Sequence, residues 1–102
     1  MSTMRNSVLL IGKPKSNAIM NSEEHKASFK LVVSDTSTGC AYTFDCVTTE
    51  KVAQRVAQQV KEGVMVAIDG SLRNYDYSDP TGYTHTHTEI VVNNIFLIDK
   101  KG

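Results

Sequence analysis

Three side chains with binding chemistry occupy alternate positions in the segment Arg73-Asn-Tyr-Asp-Tyr77. Residues two positions apart in an extended strand share one face, so Arg73, Tyr75 and Tyr77 should point the same way. A guanidinium attracts phosphate, and a tyrosine ring offers a flat surface on which a base can stack. The spacing therefore predicts a strand face that suits single-stranded nucleic acid.

A second interpretation of the same strand stays open. Tyrosine suits half-buried strands, so Tyr75 and Tyr77 can equally cover a hairpin or a subunit contact. The nearby carboxylates of Asp76 and Asp79 would also repel phosphate. The aromatic spacing alone does not decide between the two interpretations.

Basic residues elsewhere in the chain supply further candidate contacts to phosphate. The chain has 11 basic and 11 acidic residues, so its formal net charge is zero. Bulk charge therefore does not drive nucleic-acid binding, and a local cluster of cations is needed. We predict a stripe of cations that follows the phosphates, with scattered surface cations as the alternative. Its members are Arg5, Lys13, Lys15, Lys30 and Arg73.

Other chemistry finds little support in the sequence. There is no phosphate-binding glycine loop and no nucleophile motif, so we predict no enzymatic activity and no cofactor. His85 and His87 share a strand face, but two histidines without a third ligand favour exposed side chains or phosphate contacts over a metal site. Cys40 and Cys46 lie too far apart along one strand for a disulfide, and a zinc-type CxxC motif is lacking.

Length and composition indicate one globular domain over residues 1–102. Of the 102 residues, 22% are charged and 40% are apolar, as in ordinary soluble proteins. No apolar run reaches the roughly 18–20 residues that span a bilayer. The N-terminal residues also lack a secretory apolar core. The cytoplasm is therefore the expected location.

Apolar periodicity predicts strands on both sides of one helix. The helix is expected over 50–62, because Val52, Val56 and Val60 form an apolar stripe and Gly63 suits its C-terminal end. A polar loop is expected over 13–26, and Gly70 should mark a bulge or a bend. The predicted strands cover 7–12, 27–34, 41–48, 64–70, 71–77, 83–92 and 95–98.

This order of elements predicts an all-β fold. Five strands with one helix between strands 3 and 4 are typical of the OB-fold, a five-stranded Greek-key barrel. The apolar run over 8–11 is expected to supply core and an oligomer contact, because it is apolar on both faces.

Short segments spread over about residues 5–99 resemble the bacterial single-stranded DNA-binding protein (SSB) family. The resemblance rests on the order and spacing of these segments rather than on any single segment. The segments are 6–12, 27–31, 44–47, 50–53, 60–63, 66–73 and 88–92.

The resemblance implies a homodimer or homotetramer that coats single-stranded DNA in replication, recombination or repair, with little sequence preference. It implies that Tyr77 is a stacking aromatic and that Arg73 stands at a recurrent basic position. It further implies that Lys30 lies on the strand face that meets DNA. Replication or primosome proteins would be further partners, and no membrane partner is implied.

The chain departs from the family pattern at several positions. It has no tryptophan, Thr43 and Thr49 stand at common stacking positions, and Asp45 stands where a basic residue is frequent. The loop over 34–41 is short, and the family's acidic C-terminal tail is not expected in a chain that ends at Gly102. Two alternatives therefore remain, a protein-interaction module similar to primosomal replication protein N and an oligomeric paralogue that has lost DNA binding.

Overall fold

Five long strands close into a barrel in the computed structural model, which describes residues 4–98. The element order confirms the predicted all-β barrel with one helix between the third and fourth long strands. A short additional strand follows the first one. In chain order the elements are β1 (Val8–Pro14), β2 (Ile19–Asn21), β3 (Lys26–Asp35), β4 (Cys40–Thr48), α1 (Glu50–Gln59), β5 (Val66–Ser78) and β6 (Thr84–Leu97).

Strand β1 closes the barrel by pairing with two strands. Residues 8–12 pair antiparallel with β5, and residues 13–14 pair antiparallel with β3. Gly12 lies where β1 changes partner, and a Cβ there would come within 2.3 Å of the Val32 carbonyl oxygen. Glycine is thus required at this close approach of two backbones. The remaining pairs are β3 with β4, β5 with β6, and the parallel pair β4 with β6.

The core fills the barrel beneath α1. The helix buries Ala53 and Val56, and Val60 follows it into the core, which confirms most of the predicted stripe. Val52 is only half-buried. Within residues 4–98, no helix is long and apolar enough to cross a membrane. The buried apolar side chains that the strands contribute to this core cluster are Ala27, Phe29, Leu31, Cys46, Val66, Ile68, Ile90, Val92 and Ile95.

The β5–β6 hairpin is longer and more continuous than the sequence predicts. Each arm was expected as two strands and forms one, and the two arms run alongside each other from end to end. Asp69 pairs with Asn94 while Gly70 pairs with Val92, so Asn93 is an extra residue that makes a bulge in β6. A Cβ on Gly70 would lie 2.1 Å from a β6 carbonyl oxygen. The irregularity predicted at Gly70 is confirmed, and the extra residue stands on the opposing strand.

Two other boundaries differ from the predicted ones. The expected loop over 13–26 contains the end of β1 and all of β2, which pairs with the start of β3. The helix ends at Gln59 rather than at residue 62, because Val60 adopts an extended backbone with φ −85° and ψ 106° and turns into the core. Gly63, with φ 79°, lies in the turn that follows.

Candidate nucleic-acid interface

Tyrosine and histidine rings cover one face of the β5–β6 hairpin. Tyr75 is paired with His87 and Tyr77 with His85 across the two strands. The ring centroids lie 5.3 Å apart in each pair, and Tyr77 and His85 are stacked with 26° between their planes. The two tyrosine rings are 6.4 Å apart. We call these four residues the ring ladder.

The ring ladder is open to solvent. Tyr75 and Tyr77 are 47% and 50% exposed, although each ring contacts a histidine. The hairpin's other face is polar, where Thr86 donates a hydrogen bond to Asp76 and Thr88 donates one to Asn74. Planar rings are therefore concentrated on one side, as base stacking requires.

Asp79 organises the tip of the hairpin. Its Oδ1 accepts hydrogen bonds from the Thr81 hydroxyl at 2.6 Å, the Thr81 backbone N–H at 2.9 Å and the Tyr83 backbone N–H at 3.0 Å. Its Oδ2 lies 2.7 Å from His85 Nε2. The Thr81 hydroxyl and then His85 lower the pKa of Asp79 to about 2. Asp79, which the sequence predicts only to repel phosphate, thus stabilises the turn and contacts His85 of the ring ladder.

Arg73 and Glu89 form an ion pair at the base of the ring ladder. Arg73 Nε donates to Glu89 Oε1 at 3.0 Å, and a terminal guanidinium nitrogen donates to the same oxygen. The Glu89 side chain is 7% exposed and that of Arg73 is 52% exposed. The guanidinium therefore keeps an open side toward solvent while a buried carboxylate compensates its charge.

A second ion pair links β3 and β4 to the ring ladder. Lys30 Nζ donates to Asp45 Oδ1 at 2.6 Å, and Asp45 Oδ2 lies 3.3 Å from His87 Nε2. The Lys30 side chain is 58% exposed. Asp45 thus connects a cation on one strand pair with a ring on the other.

Two adjoining clefts run between these groups on the outside of the barrel. One has a volume of about 310 Å³ and is lined in part by Lys30, Asp45 and His87. The other has a volume of about 360 Å³ and is lined in part by Arg73 and Tyr75. Three residues line both clefts, which makes them one path, called here the barrel groove. They are Ser28, Val47 and Glu89.

The other predicted cations are exposed but spread along one edge. Lys13 pairs with Val32, and the Lys15 backbone N–H donates to the Lys30 carbonyl at 2.8 Å, so both side chains follow the face of Lys30. Arg5 precedes β1 next to Asn6, whose side chain makes two hydrogen bonds with the Leu72 backbone.

The structure brings six of the seven predicted binding residues into two groups. Lys30 lines one cleft of the barrel groove, and Lys13 and Lys15 lie on the same strand face as Lys30. Arg73 and Tyr75 line the other cleft, and Tyr77 follows them on the same face of β5. Arg5 lines neither cleft.

The sequence interpretation missed the acidic and histidine partners of these residues. His85, His87 and Glu89 alternate along β6 and stand opposite Tyr77, Tyr75 and Arg73. Their spacing of two residues along β6 is the sequence signal that could have identified them as partners. Within residues 4–98, no three His, Cys, Asp or Glu side chains are grouped to hold a metal ion.

Both cysteines are free thiols with different surroundings. Cys46 is buried in the barrel, and burial followed by the charge of Asp45 raises its pKa to about 12. Cys40 is exposed at the start of β4.

Comparisons with known proteins agree with this geometry. A model described as the single-strand binding protein family matches residues 6–98. A single-stranded DNA-binding protein of Caldanaerobacter subterraneus subsp. tengcongensis is 33% identical over 55 residues, which cover 54% of this chain and 37% of that protein. The chain thus spans little more than a third of that relative's length.

The crystal structure of Rim1, a mitochondrial single-stranded DNA binding protein of S. cerevisiae, has a similar fold. Its TM-score is 0.76 at 15% identity, with 93% of this chain and 97% of that chain covered. Likeness at this identity concerns the fold, and it confirms the predicted OB barrel.

Proposed function

The chain belongs to the single-strand binding protein family, and we propose that it binds single-stranded DNA along the barrel groove and the ring ladder. The observation that carries this proposal is the ring ladder itself, with two half-exposed tyrosines 6.4 Å apart on one face. Every base has a π-face, so stacking on such rings binds a strand with little sequence preference.

In this proposal, Tyr75 and Tyr77 stack on bases while cations follow the backbone. Arg73 and Lys30 keep half or more of their side chains open to solvent, so a phosphate can approach each without breaking the fold. The phosphate would exchange places with, or join, the carboxylate that now compensates the charge. The proposed phosphate contacts are Arg5, Lys13, Lys15, Lys30 and Arg73.

We further propose that the protein is a homo-oligomer that associates through β1. Leu9 and Ile11 are 71% and 51% exposed, and Phe96 at 55% lies on the same outer face, opposite Ala67. Residues 8–12 pair only with β5 within the described chain, so their other backbone edge is open to a second copy. A dimer or a dimer of dimers would cover both the edge and the apolar face.

We propose the cellular role from the family rather than from the site. Coating of single strands during replication, recombination or repair in the cytoplasm requires binding and no catalysis. Tyrosine stacking and cation contacts supply binding, and neither forms nor breaks a covalent bond.

A second candidate function is a protein-interaction module similar to primosomal replication protein N. The observation that favours it is the carboxylate beside each groove cation, Asp45 at Lys30 and Glu89 at Arg73. Such pairing weakens attraction for phosphate and offers both signs of charge to a protein partner.

Fluorescence anisotropy of a labelled mixed-sequence single strand tests the main proposal. Binding is expected at low salt, weaker binding at high salt, and much weaker binding to the same sequence as a duplex. Absence of binding at low salt would contradict the proposal and favour the protein-interaction module. Equal affinity for duplex would show attraction by charge alone.

A further inference from the structure

One exposed isoleucine lines the barrel groove on the side away from the hairpin. We propose that Ile19 is a further contact for the single strand, an apolar platform on which the face of a base packs. This contact extends the binding path from the ring ladder across the barrel to β2. It rests on the proposed single-strand binding and concerns where the strand runs, not which bases it contains.

The side chain of Ile19 points out of the barrel. Ile19 pairs with Ser28 on β3, so the two side chains take the same face of the sheet. Ser28 is exposed, whereas the adjacent Ala27 is buried. Met20, the partner of Ala27, takes the other face and lines a separate cleft beside α1. Ile19 itself is 68% exposed and lines the groove cleft of about 310 Å³.

The same cleft connects Ile19 with the ring ladder. His87, which is paired with Tyr75, lines this cleft together with Ile19. The strands follow one another in the order β5, β6, β4, β3 and β2, so four strand spacings separate Tyr75 from Ile19. These spacings amount to about 19 Å along the curved surface. A single strand that leaves the ring ladder along the barrel groove therefore reaches Ile19 at the far wall.

A cation accompanies Ile19, as another cation accompanies the tyrosines. Lys30 lies two residues beyond Ser28 on the same face of β3, which makes it a diagonal neighbour of Ile19 at about 7–8 Å. Arg73 and Tyr75 are separated by about 7 Å on one face of β5. Each side of the groove therefore offers a cation for a phosphate and a platform for the adjoining base.

Strand β2 holds Ile19 in place before a ligand arrives. The Ala18 backbone N–H donates to the Val60 carbonyl at 3.2 Å. The Glu62 backbone N–H donates to Asn17 Oδ1 at 2.9 Å. The side chain of isoleucine is β-branched and has few rotamers. Little conformational entropy is therefore lost when a base packs on Ile19.

The affinity of this contact comes from apolar burial. A base that packs on Ile19 removes apolar area from water, and the gain is roughly proportional to that area. Isoleucine has no charge and no side-chain hydrogen-bonding group, so the contact does not depend on the hydrogen-bond pattern of the base. It also releases no counterion, in contrast to a phosphate contact at Lys30. Affinity without salt dependence is therefore its signature.

Anisotropy titrations with a labelled mixed-sequence single strand of about 16 nucleotides, the upper site size of one OB fold, measure the contribution of Ile19. Ile19→Ser should raise the dissociation constant about threefold to tenfold, because it removes the apolar platform. The slope of log affinity against log salt should stay at the wild-type value. Val64→Ser is the matched control, because Val64 is an exposed aliphatic residue between α1 and β5 that lines neither cleft of the barrel groove. It should bind as the wild-type protein does.

Methyl NMR of the wild-type protein tests the contact without a variant. The ring current of a base that packs on Ile19 should move the signal of the Ile19 Cδ1 methyl group upfield when the single strand is added. Ile68 is the internal reference, because its side chain is fully buried in the core and its methyl signal should stay in place.

The outcomes separate this contact from single-strand binding itself. If the wild-type protein binds, either an unchanged dissociation constant for Ile19→Ser or an unmoved Ile19 methyl signal would overturn the contact and leave the proposed function standing. A changed oligomeric state of Ile19→Ser in sedimentation velocity would assign Ile19 to a subunit contact and overturn it as well. Absence of wild-type binding at low salt would overturn the proposed function, and the contact with it.

Discussion

Tyr75 and His87 face each other across β5 and β6 with their ring centroids 5.3 Å apart. His87 also lies 3.3 Å from Asp45, which holds Lys30 on the neighbouring strand pair. The stacking surface of the hairpin and the cation of β3 are therefore parts of one connected site. A strand that contacts one of them passes close to the other.

Replacement of Lys30 by glutamine should weaken single-strand binding and reduce its salt dependence. If Lys30 meets a phosphate, the slope of log affinity against log salt should become shallower by about one unit. Lys61→Gln, a charge-matched control just beyond α1, should leave the slope unchanged because Lys61 donates to the Ala57 carbonyl and lines neither cleft of the barrel groove. Titrations at several salt concentrations measure both slopes. Equal slopes for the wild-type protein and Lys30→Gln would exclude the phosphate contact.

Addition of a methyl group at Gly70 should destabilise the fold. The new Cβ would lie 2.1 Å from the Val91 carbonyl oxygen, so β5 and β6 must move apart beside the bulge. We expect Gly70→Ala to lower the free energy of unfolding by about 1–3 kcal/mol or more. Ser71→Ala, at the next position, should change it by less than about 0.5 kcal/mol. Urea denaturation measures both values, and an unchanged midpoint for Gly70→Ala would refute the close approach.

The two thiols should react at very different rates in the folded protein. Cys40 is exposed, whereas burial raises the pKa of Cys46 to about 12 and keeps it protonated. A disulfide-exchange reagent at neutral pH should therefore modify one thiol per chain quickly. Cys40→Ser should lose this fast phase, and denaturant should expose the second thiol. Two fast-reacting thiols in the native protein would contradict the buried position of Cys46.

The hairpin tip should keep its conformation until strongly acid pH. Hydrogen bonds from Thr81 and His85 lower the pKa of Asp79 to about 2, from about 3.9 in an unfolded chain. A depressed pKa means that the stabilisation is complete above about pH 4 and is lost as the pH falls through 2. The amide chemical shifts of Thr81 and Tyr83 report this titration. A midpoint close to 4 would show that the turn is not held by Asp79.

Period-two patterns made much of the binding face predictable. Arg73, Tyr75 and Tyr77 share a face because alternation in a strand is a local property of the backbone. The hairpin turn over 79–82 then fixes the register that places Glu89, His87 and His85 opposite them. Local sequence information is therefore sufficient to predict these cross-strand pairs of the hairpin.

Contacts between distant segments could not be predicted in the same way. The approach of Asp45 to His87 depends on the parallel pairing of β4 with β6, which no turn specifies. The bulge at Asn93 shifts the register by one residue, and a one-residue shift changes which face each side chain takes. Strand β2 has three exposed residues among polar neighbours, so apolar alternation gave no signal for it.

The central claim is that single-stranded DNA stacks on the ring ladder, and Tyr77→Ala tests it most directly. Tyr83→Ala is the control, because Tyr83 is more exposed, at 71%, but lies beyond the ring ladder in the turn. Anisotropy titrations with one labelled single strand should show a loss of about 1–3 kcal/mol of binding free energy for Tyr77→Ala and little change for Tyr83→Ala. Wild-type affinity in a folded Tyr77→Ala protein would contradict stacking on this face.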